Sequence, residues 1–157
     1  NIEAALDTGD HTRDRGLQLE KIMLNLKNST IDTVILSKNE YEMFKIREDL
    51  LGLENRYFYA IWYNAPGAKK TLGLVKYDLQ TNKTISWVKE GLMPGEPFFV
   101  ANPKGKSEDD GVIVTTIYDE KNKKSFVLIL DAISMKELAR SYLPNALPIG
   151  LHSKFVR

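Results

Sequence analysis

Two stretches of this chain lie over one another at an offset of 53 residues. Val75-Lys-Tyr-Asp78-Leu-Gln-Thr81-Asn-Lys83-Thr-Ile85 aligns without a gap to Leu128-Ile-Leu-Asp131-Ala-Ile-Ser134-Met-Lys136-Glu-Leu138. Each copy reads as a strand, an aspartate, a hydroxyl-bearing turn, a lysine and a second strand. Asp and Ser/Thr side chains bond to nearby backbone amides, so they cap such a bend and set the register of a hairpin. A four-stranded unit returning about every 50 residues is the pattern of β-propeller blades. A β-sandwich is the competing reading of two copies, and the repeat favours the propeller.

The rest of the chain agrees with an all-β class. Leu19 to Leu26 and Val34 to Leu36 read as two strands joined through Asn28-Ser29-Thr30. Arg56 to Asn64 is almost wholly aromatic or β-branched, as in a strand packed on both faces. Further strands are expected at Leu72–Leu79, Thr84–Lys89, Pro97–Ala101, Gly111–Tyr118, Phe126–Leu130 and Glu137–Leu143, with short polar connections. A polar bend is expected around Glu48-Asp49. The first 16 residues read as a polar loop, followed by β blades over 17–157 as one segment of a single domain.

Composition removes several function classes. With 22 Lys+Arg against 21 Asp+Glu, no net field points to nucleic acid. No cysteine means no disulfide scaffold, zinc–thiolate site or cysteine nucleophile, and it fits a reducing, cytoplasmic setting. The longest apolar run, Tyr57 to Tyr63, is far short of the ~20 residues that span a bilayer. Two histidines, His11 and His152, are too few for a histidine-rich metal site contained within the chain. Asn1 is not an initiator methionine, which leads to the expectation of a piece cut from a longer polypeptide.

No Gly-rich phosphate loop, GxSxG elbow, HExxH helix or EF-hand loop occurs. Glu108-Asp109-Asp110 reads as a solvated turn capping the next strand rather than a cation site, and His11 among Asp7, Asp10 and Asp14 as a polar terminus. His152 is set apart by its context, Pro148-Ile-Gly-Leu-His152-Ser-Lys-Phe155, where a strand is expected to begin. There it is either a metal ligand at the mouth of an inner strand or a histidine satisfied by a backbone carbonyl. Glu96, in Met93-Pro-Gly-Glu96-Pro-Phe-Phe-Val100, and Glu42, in Tyr41-Glu42-Met-Phe-Lys-Ile46, are carboxylates among apolar neighbours. Such a group costs several kcal/mol unless hydrogen-bonded, and the second N–H of a ligating imidazole is a frequent partner.

Taken in order, these segments resemble the carotenoid cleavage oxygenase family, which includes carotene oxygenases and the retinoid isomerase of the eye. The likeness runs from Glu42 to the C-terminus. It rests on Pro94-Gly-Glu96-Pro-Phe-Phe-Val100, Glu108-Asp-Asp-Gly-Val112, Leu128-Ile-Leu-Asp131-Ala132 with Glu137-Leu-Ala-Arg140, and Pro148-Ile-Gly-Leu-His152-Ser-Lys-Phe155. Near Glu42 the chain departs from the pattern, with Phe44 where the family usually has Pro and Arg47 where it usually has Asn.

The resemblance implies a seven-bladed propeller with non-haem Fe2+ on its axis, held by four histidines, three of them backed by glutamates. This chain would be the C-terminal portion, about two blades. His152 would be the last metal ligand, Glu96 and Glu42 two of the outer carboxylates, and Met43 and Leu151 walls of an apolar substrate tunnel. The implied chemistry is oxidative cleavage of a carotenoid or apocarotenoid double bond by dioxygen, with peripheral membrane association through other parts of the polypeptide. The chain alone would be inactive. Retinoid isomerohydrolysis on the same scaffold, a degenerate family member and a non-catalytic β-rich binding domain are the alternatives.

Overall fold

The computed structural model describes residues 18–65, 71–148, 150 and 152, and the chain divides into two compact units, 1–38 and 39–157. Leu151 and His11 lie outside the described residues. In the first unit, β1 (Leu19–Asn25) and β2 (Thr30–Ser37) form one antiparallel hairpin. Asn25 Oδ1 accepts the backbone N–H of Lys27 at 3.1 Å, and Ser29 takes the left-handed conformation that closes the turn.

The second unit contains two antiparallel sheets. One runs in order β3 (Glu40–Lys45), β4 (Tyr57–Tyr63), β5 (Gly73–Asp78), β6 (Lys83–Val88). The other is built on β9 (Gly111–Asp119), which pairs along one edge with β10 (Lys124–Asp131) and through it with β11 (Glu137–Tyr142). Along its other edge β9 pairs with two short strands, β7 (Leu92–Pro94) and β8 (Phe98–Ala101). A single 3-10 turn, Glu48–Leu50, occupies the bend expected there. No helix among the described residues is long and apolar enough to cross a membrane.

The 53-residue repeat is the last two strands of each sheet, β5–β6 in one and β10–β11 in the other. Asp78 Oδ1 accepts the N–H of Gln80 at 2.9 Å, and Asp131 Oδ1 accepts the N–H and hydroxyl of Ser134 at 2.7 and 2.6 Å. Asn82 N–H reaches Asp78 O, and Met135 N–H reaches Asp131 O, both at 2.8 Å. Asn82 and Met135 have φ of 53° and 57°, so the two turns share their one left-handed position as well. The matched residues therefore encode the same loop twice.

These caps carry a pH dependence. The Arg56 fork, bonded at 3.0 and 2.7 Å, holds the Asp78 carboxyl well below the usual carboxylate range, and the Ser134 hydroxyl lowers that of Asp131, in each case against burial. A carboxyl depressed in the folded state adds stability above its unfolded pKa, about 3.9, and loses it as pH falls toward the folded value. Urea denaturation should thus give a flat stability from pH 8 to 5 and a decline below about pH 4. Asp131→Asn, which keeps the accepting oxygen but cannot titrate there, should make that decline shallower.

The two sheets pack through Tyr59, Leu74 and Trp87 of the first and Phe99, Ile113, Ile117, Phe126, Leu128 and Leu130 of the second. Tyr59 stacks on Phe99 with centroids 5.5 Å apart, and its hydroxyl donates to Ala132 O at 3.0 Å. The acidic cluster before β9 also joins the sheets, which corrects the solvated-turn expectation. Glu108 accepts the N–H groups of Arg56 and Tyr57 at 2.9 and 2.8 Å, ahead of and on β4. Asp109 is buried against Lys76 of β5. Its carboxylates cap a strand of the neighbouring sheet rather than their own.

Candidate metal-ligand site

The site forms where the inner edge of the second sheet is interrupted. β7 pairs with Ile117–Asp119 and β8 with Gly111–Val114, so Gly95-Glu96-Pro97 bulges away opposite Thr115 and Thr116. Proline cannot donate to a ladder and is confined to such edges and breaks. Gly95 N–H bonds to Thr116 O at 2.8 Å, and the Thr115 hydroxyl donates to Gly95 O at 2.9 Å. A Cβ on Gly95 would meet Thr116 Oγ1 at 2.9 Å, so a larger residue here would have to displace Thr116. With Gly95 clamped and Pro97 fully buried, the intervening Glu96 side chain is only 3% exposed.

His152 is brought to Glu96 by the segment after β11. Leu143 N–H bonds to Ser125 O at 2.8 Å and Leu147 N–H to the Ser125 hydroxyl at 2.9 Å. Leu147, Pro148 and Gly150 then share a small cavity with Met93, Pro94, Gly95 and Thr116. The segment thus crosses from β10 over β9 to the broken inner edge. His152 Nδ1 ends 3.2 Å from Glu96 Oε1, with its side chain 73% exposed. His152 is itself outside any strand, and residues 153–157, where the expected strand would run, lie outside the described residues.

A carboxylate can only accept, so the contact calls for a proton on Nδ1, which in a neutral imidazole leaves the lone pair on Nε2. A buried carboxylate fixing the tautomer of an exposed imidazole is the outer-partner arrangement of metal-ligating histidines. The donor set present fits one ligand of a metal site. Among the described residues, no group of three His, Asp or Glu side chains stands close enough to hold a metal together.

The other expected positions fall on β3. Glu42 is half-buried and stands opposite Ile61 of β4; it is outside the contacts that join Glu96 and His152. Met43 is half-buried with φ 56°, at a bulge where Met43 and Phe44 together oppose Ala60. A cleft of about 640 Å³ lies between Arg47–Asp49 and Phe98–Gly105, and Met43 is not among its walls. Lys45, which the sequence reading did not single out, does reach the site: its Nζ is 3.1 Å from Glu96 Oε1.

The family model described as RPE65, Retinal pigment epithelial membrane protein, matches residues 2–157. The chain belongs to this family. Carotenoid cleavage dioxygenase 8, chloroplastic, of Arabidopsis thaliana is 38% identical over 115 residues, which is 73% of this chain and 20% of that protein. Beta,beta-carotene 15,15'-dioxygenase of Mus musculus is 42% identical over 84 residues, 53% of this chain and 15% of that protein. The match therefore spans a fifth or less of the length of these relatives.

Among solved structures, a variant of Synechocystis apocarotenoid oxygenase superposes with a TM-score of 0.81 at 25% identity, covering 86% of this chain and 29% of that one. A cobalt-substituted form of the same Synechocystis protein superposes with a TM-score of 0.84 at 24% identity, covering 89% and 30%. These neighbours are β-propeller enzymes, and β3–β6 and β7–β11 are two blades of that fold. The propeller, rather than the sandwich, is what the repeat encodes.

Proposed function

We propose that this chain is part of an iron(II)-dependent oxygenase that cleaves a double bond of a carotenoid or apocarotenoid with dioxygen. The observation that carries the reading is the Glu96–His152 contact, a buried carboxylate on Nδ1 of an imidazole whose side chain is largely exposed. The named relatives, a carotenoid cleavage dioxygenase and a carotene dioxygenase, supply the substrate class.

In this reading His152 gives Nε2 to the metal as one of several imidazoles, the others coming from elsewhere in the polypeptide. Glu96 holds the His152 ring in its ligating tautomer, and Glu42 serves as a carboxylate behind a second imidazole. Iron, when bound, supplies open coordination positions for dioxygen. Met43 and Leu151, adjacent to Glu42 and His152, form apolar walls that hold the polyene by burial, worth about 25 cal/mol per Å² removed from water. Peripheral contact with a membrane would give the enzyme access to such a lipid.

The test is aerobic incubation of the complete iron-loaded polypeptide with β-carotene, an apocarotenal and, separately, a retinyl ester. Two carbonyl fragments from either polyene are the expected products. Isomerised retinol from the ester without cleavage of a polyene would favour a retinoid isomerohydrolase. No product from any of the three, with iron bound, would assign the chain to a binding role.

A further inference from the structure

Lys45 arrives at Glu96 by a backbone irregularity. In regular pairing with β4, Lys45 would stand opposite Phe58 and point to the sheet face that carries Tyr41, Phe44 and Phe58. The bulge inserts one residue, so Lys45 stands opposite Tyr59 instead, two positions from Ile61, the partner of Glu42. Lys45 therefore shares a face with Glu42 and Tyr59, the face that packs against the second blade. The irregularity puts Met43 at a φ of 56°, a conformation that non-glycine residues with long side chains adopt rarely.

At the end of this device, Lys45 Nζ and His152 Nδ1 converge on one atom, Glu96 Oε1, at 3.1 and 3.2 Å. The Lys45 ammonium also lies 4.8 Å from the centroid of the Phe98 ring, and the side chain is 30% exposed. A surface ion pair formed by chance needs no strained strand beneath it. We propose that Lys45 is a positioning residue of the metal centre, gripping Glu96 Oε1 from the first blade so that the carboxylate, clamped from the second, presents one fixed oxygen to His152. The proposal rests on the reading of His152 as a metal ligand. Charge-assisted bonds are the shorter and stronger class, so losing the ammonium removes a strong hold on Glu96 Oε1 and loosens the ring it orients.

The test is cobalt(II) titration of the complete apo-polypeptide, followed by the visible ligand-field spectrum and a competing chelator. Lys45→Met should bind cobalt about tenfold more weakly, the low end of what loss of a partner behind a metal ligand costs, and should shift the spectrum. Lys45→Arg should restore both, and Lys104→Met, on an exposed loop, should change neither. Affinity and spectrum of Lys45→Met indistinguishable from the parent would overturn the proposal. An equal loss in Lys45→Arg, or a loss that follows the melting temperature, would assign Lys45 to packing and overturn it too. His152→Ala in the same titration separates the two levels: if it binds cobalt like the parent, the ligand reading itself falls.

Discussion

Lys76→Met is expected to destabilise the protein by about 3–5 kcal/mol at pH 7, the cost of removing one partner from a buried ion pair. Lys76 sits mid-strand on β5, opposite Tyr59, with its ammonium 2.5 Å from Asp109 Oδ2 and 3.2 Å from Ile133 O. It also lies 4.3 Å from the centroid of the Tyr57 ring. Both side chains of the pair are nearly enclosed, so water cannot replace the lysine. Methionine fills much of the space but takes from the Asp109 carboxylate and the Ile133 carbonyl the ammonium they share.

The sign of the pH dependence should reverse in this variant. In the parent, burial alone would push the Asp109 carboxyl up, but the bonds from Lys76 and Ser107 outweigh it and hold the carboxyl below its ordinary value. Its contribution is present above the unfolded pKa and lost as pH falls. Without Lys76, burial dominates and the folded-state value rises above the unfolded one, so protonation relieves the strain. Urea denaturation should therefore show Lys76→Met closing part of its gap to the parent between pH 7 and 5. Lys76→Met with Asp109→Leu should recover most of the loss, since a well-packed apolar pair replaces an ion pair at little cost. A single variant within 1 kcal/mol of the parent at pH 7 would show that this pair does not join the blades.

Most of the fold was legible because it depends on local pattern. Alternation and turn chemistry mark β1, β2, β4, β5, β6 and β8 to β11, and Asp78 and Asp131 mark equivalent hairpins. The two strands that escaped are the irregular ones. β7 is three residues running into Pro94-Gly95, too short for any period to register. β3 carries a bulge whose left-handed residue is Met43, where nothing in the sequence announces a break as glycine or asparagine would.

The same bulge hid Lys45, since strand alternation sends it to the wrong face. Long-range partners were equally silent. Nothing local to Glu108 and Asp109 shows that they serve Arg56, Tyr57 and Lys76, so polar residues beside a glycine looked like a solvated turn. Glu96 and His152 are 56 positions apart, and only the family likeness placed them in one site; their residue types and spacing alone left a backbone-satisfied histidine open.

Glu96→Ala is expected to weaken iron binding by the complete polypeptide about 10–100-fold, with a matching loss of any polyene cleavage. The carboxylate does two things that no neighbour can take over. It accepts from His152 Nδ1, which keeps on Nε2 the lone pair that would ligate iron, and it holds the Lys45 ammonium at the blade junction. Alanine removes both and lets an exposed imidazole change tautomer and rotate. Glu96→Gln is the discriminating variant. Its carbonyl oxygen can still accept from Nδ1, but as a neutral acceptor, and charge-assisted bonds are roughly twice as strong as neutral ones. Facing both an ammonium and an imidazole N–H, the amide oxygen cannot hold both as firmly as the anion does. Iron retained after dialysis against a graded chelator should therefore rank parent, then Gln, then Ala. If Glu96 served only to fill the break between β7 and β8, glutamine, matched in shape, would bind iron like the parent.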